Sequence, residues 1–145
     1  MRLHLVHHAE ALPPEIDPQR PLAPAGLERA DRLARAAAAR GVRPEIIWHS
    51  GKLRARQTAE AFRRHCNPLA TFSAQRGLQP DDPPEIVRDL LSSAEAGELL
   101  VVGHFPHLER LRALLDPAGA GFPAHGLVAL EGEGPIWREL WRLEV

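Results

Sequence analysis

Short apolar runs alternate with amphipathic stretches along this chain, and the spacing of each run predicts its element. Leu3 to Val6 is an unbroken apolar run before a polar break, the pattern of a buried strand. Residues 11–25 hold five prolines and predict a loop. From there Leu27, Ala30, Leu33, Ala34 and Ala37 recur at helical spacing, with Pro24 suited to a first helical position and Gly41 to a stop. Glu45 to Trp48 predicts a second strand. Ser50 is a candidate N-cap for a helix running to about Phe62, and Thr71-Phe72 suggests a short third strand. Asp82 can cap a helix with Pro83 and Pro84 in its first turn and Ile86, Leu90 and Leu91 facing inward. Leu99 to Val102 has the continuous apolar character of a buried parallel strand. Pro106 then opens a helix carrying Leu108, Leu111, Leu114 and Leu115. Leu127 to Leu130, the turn Gly132-Glu133-Gly134 and residues 136–145 predict a terminal hairpin. Ile136, Trp137, Leu140 and Trp141 also fit a helix, but the glycine-rich turn before them favours the strand. Strand–helix alternation of this kind argues for an α/β sandwich.

Size and charge narrow the classes. A chain of 145 residues is expected to form one domain, 1–145, with a core large enough to need neither disulfides nor metal. The single cysteine, Cys66, has no internal partner, which fits a reducing, cytoplasmic setting. A formal net charge of −1 argues against nucleic acid or anionic membrane as bulk partners. No apolar run approaches the ~20 residues of a membrane span, and the first residues read as a strand rather than a signal peptide.

Three segments carry candidate chemistry. They are Leu5-Val6-His7-His8-Ala9-Glu10, Ser50-Gly51-Lys52-Leu53-Arg54-Ala55-Arg56-Gln57-Thr58 and Val101-Val102-Gly103-His104. Each places a histidine or arginine where a strand-like run gives way to a loop or helix, the edge at which α/β proteins bind ligands. His8, Arg54 and His104 could therefore share one pocket. Two imidazoles and a guanidinium suit a phosphate, with one imidazole free to attack phosphorus. Taken singly each has a plainer reading: a histidine at a strand end, a solvated arginine. The histidines His4, His7, His8, His104 and His107 also invite a metal reading. Without Cys-x-x-Cys or His-Glu-x-x-His spacing, neither a metal nor another cofactor is expected.

With these pieces in order, joined by Arg20-Pro21-Leu22-Ala23-Pro24-Ala25-Gly26 and Gly103-His104-Phe105-Pro106, the chain resembles the histidine phosphatase superfamily. It is most similar to the small SixA-type phosphohistidine phosphatases. The resemblance implies a phosphoglycerate mutase-like three-layer fold: a mostly parallel central sheet flanked by helices on both faces. It implies His8 as the nucleophile that carries the phosphoryl group, with Arg54 and His104 binding that group and stabilising its developing charge. The implied substrate is a phosphohistidine on a partner protein, and the product inorganic phosphate. Two other readings stay open: a phosphatase acting on a small phosphomonoester, or a phosphoryl-binding module with weakened catalysis. The chain lacks the long insertions that usually build a lid over small substrates.

The sequence departs from the family's Arg-His-Gly at two positions, where it has His7 and Ala9. Histidine is shorter than arginine and cannot grip a phosphate as a fork. If His7 still lies at the phosphate, another arginine compensates, His7 works when protonated, or turnover is lost. Ala9 adds a methyl group where the backbone could need unusual torsions. A general acid is harder to place. Leu78-Gln79-Pro80-Asp81-Asp82 occupies roughly the region where related phosphomonoesterases keep one, which makes Asp81 and Asp82 candidates.

Overall fold

The computed structural model describes residues 1–145. Its elements are β1 (Arg2–His7), α1 (Pro24–Ala39), β2 (Ile46–His49), α2 (Leu53–Cys66), β3 (Thr71–Ala74), α3 (Pro84–Ser93), β4 (Glu98–Gly103), α4 (His107–Leu115), β5 (Leu127–Glu133) and β6 (Ile136–Leu143). One six-stranded sheet runs β3-β2-β4-β1-β5-β6. The first four strands are parallel, and β5 and β6 add an antiparallel hairpin beside β1.

Period-two alternation splits the core into two layers. On one face Val6, Ile47, Leu100, Val102 and Ala129 pack against Ala30, Leu33, Ala34 and Ala37 of α1 and Ala55, Ala59 and Phe62 of α2. On the other, Leu3, Leu5, Leu99, Val101, Val128 and Leu130 pack against Val87 and Leu91 of α3 and Leu108, Leu111 and Leu115 of α4. β1 and β4 are buried on both faces, which is why they read as unbroken apolar runs.

Several local expectations shift. Leu27 is exposed, and Gly26 takes the buried place at the start of α1. There a Cβ would meet the Glu10 carbonyl oxygen at 2.0 Å, so only glycine lets α1 close on the loop after β1. Ser50 does not cap α2: Gly51, at φ +90°, turns the chain between them, and Lys52 is the N-cap. Asp82 does not cap α3, whose N-cap is Pro83; its carboxylate accepts the Gln79 N–H and closes the preceding turn. In α3, Val87 is buried with Leu91, while Ile86 stays part-exposed.

The last segment is a strand, and its helix-like spacing has a physical cause. A bulge shifts the β5–β6 register between Ala129↔Trp141 and Leu130↔Glu139. The extra residue moves later side chains to the opposite face. Trp137 thus enters the α3–α4 layer while Trp141 packs against the α1–α2 layer.

Gly26→Ala should lower stability by about 2–3 kcal/mol, because the new methyl group meets backbone that cannot step aside. Gly41→Ala, at φ +87° with nothing within 4 Å, should cost only about 1 kcal/mol of backbone strain. Urea denaturation of both variants checks this; equal losses would contradict the close-approach argument.

Candidate active site

Parallel pairing of β1 with β4 ends at His7↔Gly103, and the His8 N–H continues the ladder by donating to the Gly103 carbonyl at 3.1 Å. His8 and His104, the next residues on the two strands, therefore emerge side by side at the carboxyl edge of the sheet. Their ring centroids are 5.1 Å apart. Gly103 keeps this crossing close, since a Cβ there would press on Leu108 at 3.3 Å.

The second motif fastens the loops around this edge. Thr58 Oγ1 donates to the Arg54 carbonyl at 2.9 Å and accepts the Ala9 N–H at 3.1 Å. Gln57 Oε1 accepts the Leu22 N–H at 2.7 Å. One turn of α2 thus holds the loop after β1 and the proline-rich loop, with Arg54 between them. Ala9 is buried without a positive φ, so it needs no glycine torsion.

Ring protons can be assigned from the network. His8 Nδ1 lies 2.7 Å from the Ala9 carbonyl, an acceptor only, so Nδ1 carries the proton and Nε2 keeps its lone pair. Burial, and secondarily the positive charge of Arg54, His125 and Arg20, lowers the His8 pKa to about 4 despite that bond. His8 is thus a neutral imidazole with a free nucleophilic nitrogen near neutral pH. His104 Nε2 is 2.6 Å from Ser50 Oγ, which accepts the Lys52 N–H. With no other acceptor in reach, the Ser50 hydroxyl donates to Nε2, which puts the His104 proton on Nδ1, a buried nitrogen with no protein partner. Arg54 Nε is likewise buried and unpartnered. Of the buried ring and guanidinium nitrogens without a protein partner, these two lie beside His8, where an anion would satisfy both.

The local charge is positive although the chain is not. Burial first, then His8, Arg54, Lys52 and His7, lowers the His104 pKa to about 2. Burial and Arg20 lower that of Arg54. None of Arg20, Lys52 and Arg54 is in an ion pair, so an arriving phosphate meets cations that no carboxylate has neutralised.

Arg20 was not singled out by sequence reasoning. It sits at φ +50°, and its Nε donates to the Leu12 carbonyl at 3.0 Å, leaving the rest of the guanidinium free near His8 and Arg54. Its only signal was its place at the head of Arg20-Pro21-Leu22.

His7 differs from the expectation that it could work as a cation. Its ring stacks on Phe105 (centroids 3.9 Å apart) and on His125 (4.7 Å). Its Nδ1 accepts the His125 backbone N–H at 2.8 Å, which requires the neutral form with the proton on Nε2. Burial, reinforced by His8 and His125, lowers its pKa to about 3. It can offer one neutral N–H, not a charge. The same tautomer bears on metal binding. Ring nitrogens of His7, His8 and His125 lie within 4.8 Å of one another, but with Nδ1 engaged and Nε2 protonated His7 has no lone pair to give. Asp81 is exposed, and Asp82 is held by its turn; neither carboxylate hydrogen-bonds to His8, Arg54 or His104. A surface cleft of about 540 Å³ lies by Met1 and the β5–β6 turn, at the opposite end of β1 from His8.

A family model described as "Histidine phosphatase superfamily (branch 1)" matches residues 4–79. The chain belongs to the histidine phosphatase superfamily. Among solved structures it is similar to the protein histidine phosphatase SixA complexed with tungstate, at TM-score 0.89 and 22% identity over 99% of this chain and 97% of the other. A proposed phosphohistidine phosphatase, SixA, from Agrobacterium tumefaciens matches at TM-score 0.80 and 30% identity, over 99% and 97% of the two chains. A mycobacterial glucosyl-3-phosphoglycerate phosphatase with bound VO3 matches at TM-score 0.70 and 17% identity, over 97% and 98%. No curated protein sequence matches. The fold is thus the phosphoglycerate mutase-like three-layer sandwich of the superfamily, and no helix is long and apolar enough to cross a membrane.

The lowered pKa values of His7, His8 and His104 tie stability to pH. Unfolded, each takes up a proton near pH ~6.5; folded, each resists until about pH 3, 4 and 2 respectively. Their contribution is complete above pH ~6.5 and is lost progressively as pH falls below it. Lowering pH from 8 to 5 should cost roughly 1–2 kcal/mol for each of the buried pair His7 and His104, and less for the more exposed His8. Urea denaturation at the two pH values tests this; equal or greater stability at pH 5 would contradict it.

Proposed function

We propose that this protein is a cytoplasmic phosphatase that removes the phosphoryl group from phosphohistidine on a partner protein, through a phosphohistidine intermediate at His8. The observation that carries this reading is the pair of buried, unpartnered donors, Arg54 Nε and His104 Nδ1, beside the free lone pair of His8. The nucleophile is neutral, the surrounding groups are cationic or donors, and a tetrahedral oxyanion supplies the missing acceptors.

The roles follow. His8 Nε2 attacks phosphorus; the new P–N bond forms as the bond to the substrate nitrogen breaks. Arg54 holds phosphoryl oxygens from the first turn of α2, where helix N–H groups add donors. His104 donates from Nδ1 as charge builds on those oxygens. His7 adds a neutral Nε2–H in place of the family's arginine, and Arg20 supplies the positive charge that His7 lacks. Inorganic phosphate leaves once water has hydrolysed the intermediate. A phosphoramidate substrate suits this site because its P–N bond is weaker toward cleavage than a phosphate ester. The free thiol of Cys66, buried and pushed up to about 12, agrees with a reducing compartment.

His8→Ala should abolish turnover of a phosphohistidine peptide and of p-nitrophenyl phosphate, and acid-labile, base-stable label should be trapped on His8 of the unaltered protein. Arg20→Ala should weaken vanadate binding about tenfold, the loss of one charge-assisted contact. Normal turnover by His8→Ala would end the proposal. Faster turnover of small phosphomonoesters than of the peptide would move the substrate to that class.

A further inference from the structure

The loop before β5 brings a third imidazole, His125, to the nucleophile. Its backbone is held at φ +54°, a conformation that non-glycine residues seldom adopt and that surroundings must enforce. Two hydrogen bonds do so. The backbone N–H donates to His7 Nδ1 at 2.8 Å, and the ring Nδ1–H donates to the His8 carbonyl at 2.7 Å. The second bond fixes the tautomer: Nδ1 is always protonated, and Nε2 is the nitrogen free to gain or lose a proton. The ring meets that of His8 edge-on at 6.2 Å between centroids, and a nitrogen of each lies within 4.8 Å of the other. His125 therefore lies beside the imidazole that would carry the phosphoryl group.

Of the other candidate proton carriers, Asp81 is exposed and the rest are engaged. The Glu10 carboxylate is paired with Arg29 Nε at 3.0 Å. Asp82 closes its turn on Gln79. His104 Nε2 is held by Ser50. His125 remains, with Glu10 Oε1 3.9 Å from its Nδ1.

We propose that His125 is the proton-transfer residue of the reaction, a role that rests on the phosphohistidine reading above. In the first step the His8 Nε2 lone pair forms the P–N bond, and the electron pair of the breaking bond goes to the leaving atom. That atom takes the Nε2 proton of the His125 imidazolium. In the second step a water oxygen attacks phosphorus and gives a proton to neutral His125 Nε2. The P–N pair returns to His8, inorganic phosphate leaves, and both imidazoles regain their starting states.

The test is His125→Asn, which tolerates positive φ and keeps an amide donor for the His8 carbonyl but cannot carry a proton. Variant and unaltered protein are assayed on p-nitrophenyl phosphate and on phenyl phosphate, whose leaving group is far more basic. Loss of a general acid should lower kcat/KM about 100-fold or more for phenyl phosphate and less than about fivefold for p-nitrophenyl phosphate. An equal loss for both substrates, or none, would overturn the proposal and leave His125 a positioning residue only. If the asparagine variant does not fold, His125→Gly keeps the torsion, and added imidazole should restore phenyl phosphate turnover selectively; failure to restore it counts against the role. Absence of phosphoenzyme in the unaltered protein would instead end the phosphohistidine reading itself.

Discussion

The parallel pairing of β1 with β4 is the constraint on which the site depends. It fixes His7 opposite Gly103, and so sets His8 and His104 next to each other where the two strands end. The remaining parts are tied to that edge by hydrogen bonds rather than by contacts of their own. Thr58 and Gln57 draw two loops onto α2, Gly26 lets α1 close beneath Glu10, and His125 reaches both His7 and His8 from the loop before β5.

Electrostatics then follows from burial. A chain of net charge −1 gathers Arg20, Lys52 and Arg54 at one edge without acidic partners. In that setting an imidazolium is doubly disfavoured, by lost hydration and by like charge. His7, His8 and His104 are therefore neutral, which is the state a nucleophile and two N–H donors need. The family's arginine would place another cation beside Arg20. Here the position is filled by a stacked, neutral histidine, and under the proposed function charge and hydrogen bonding are divided between Arg20 and His7.

Much of this was legible in the chain. Unbroken apolar runs named the central strands, and the motif at each strand end named His8, Arg54 and His104. What was hidden depended on tertiary geometry. Trp137 and Trp141 looked helical because the bulge between them is set by β5, not by their own sequence. Ser50 looked like a cap, but Gly51 turns it toward His104. Arg20 lies in a loop whose path depends on Gln57, and His125 lies in a loop with no periodic pattern. The state of His7 was out of reach for the same reason: its tautomer is chosen by a backbone N–H that lies 118 residues away in the chain.

The central claim is that His8 is a neutral nucleophile whose proton sits on Nδ1. Long-range 1H–15N correlation of the histidine rings at pH 6 tests it directly, where a free histidine would be mostly charged. The account predicts a neutral His8 ring with a protonated Nδ1 and an unprotonated Nε2. A His8 imidazolium at that pH, or a proton on Nε2, would contradict it.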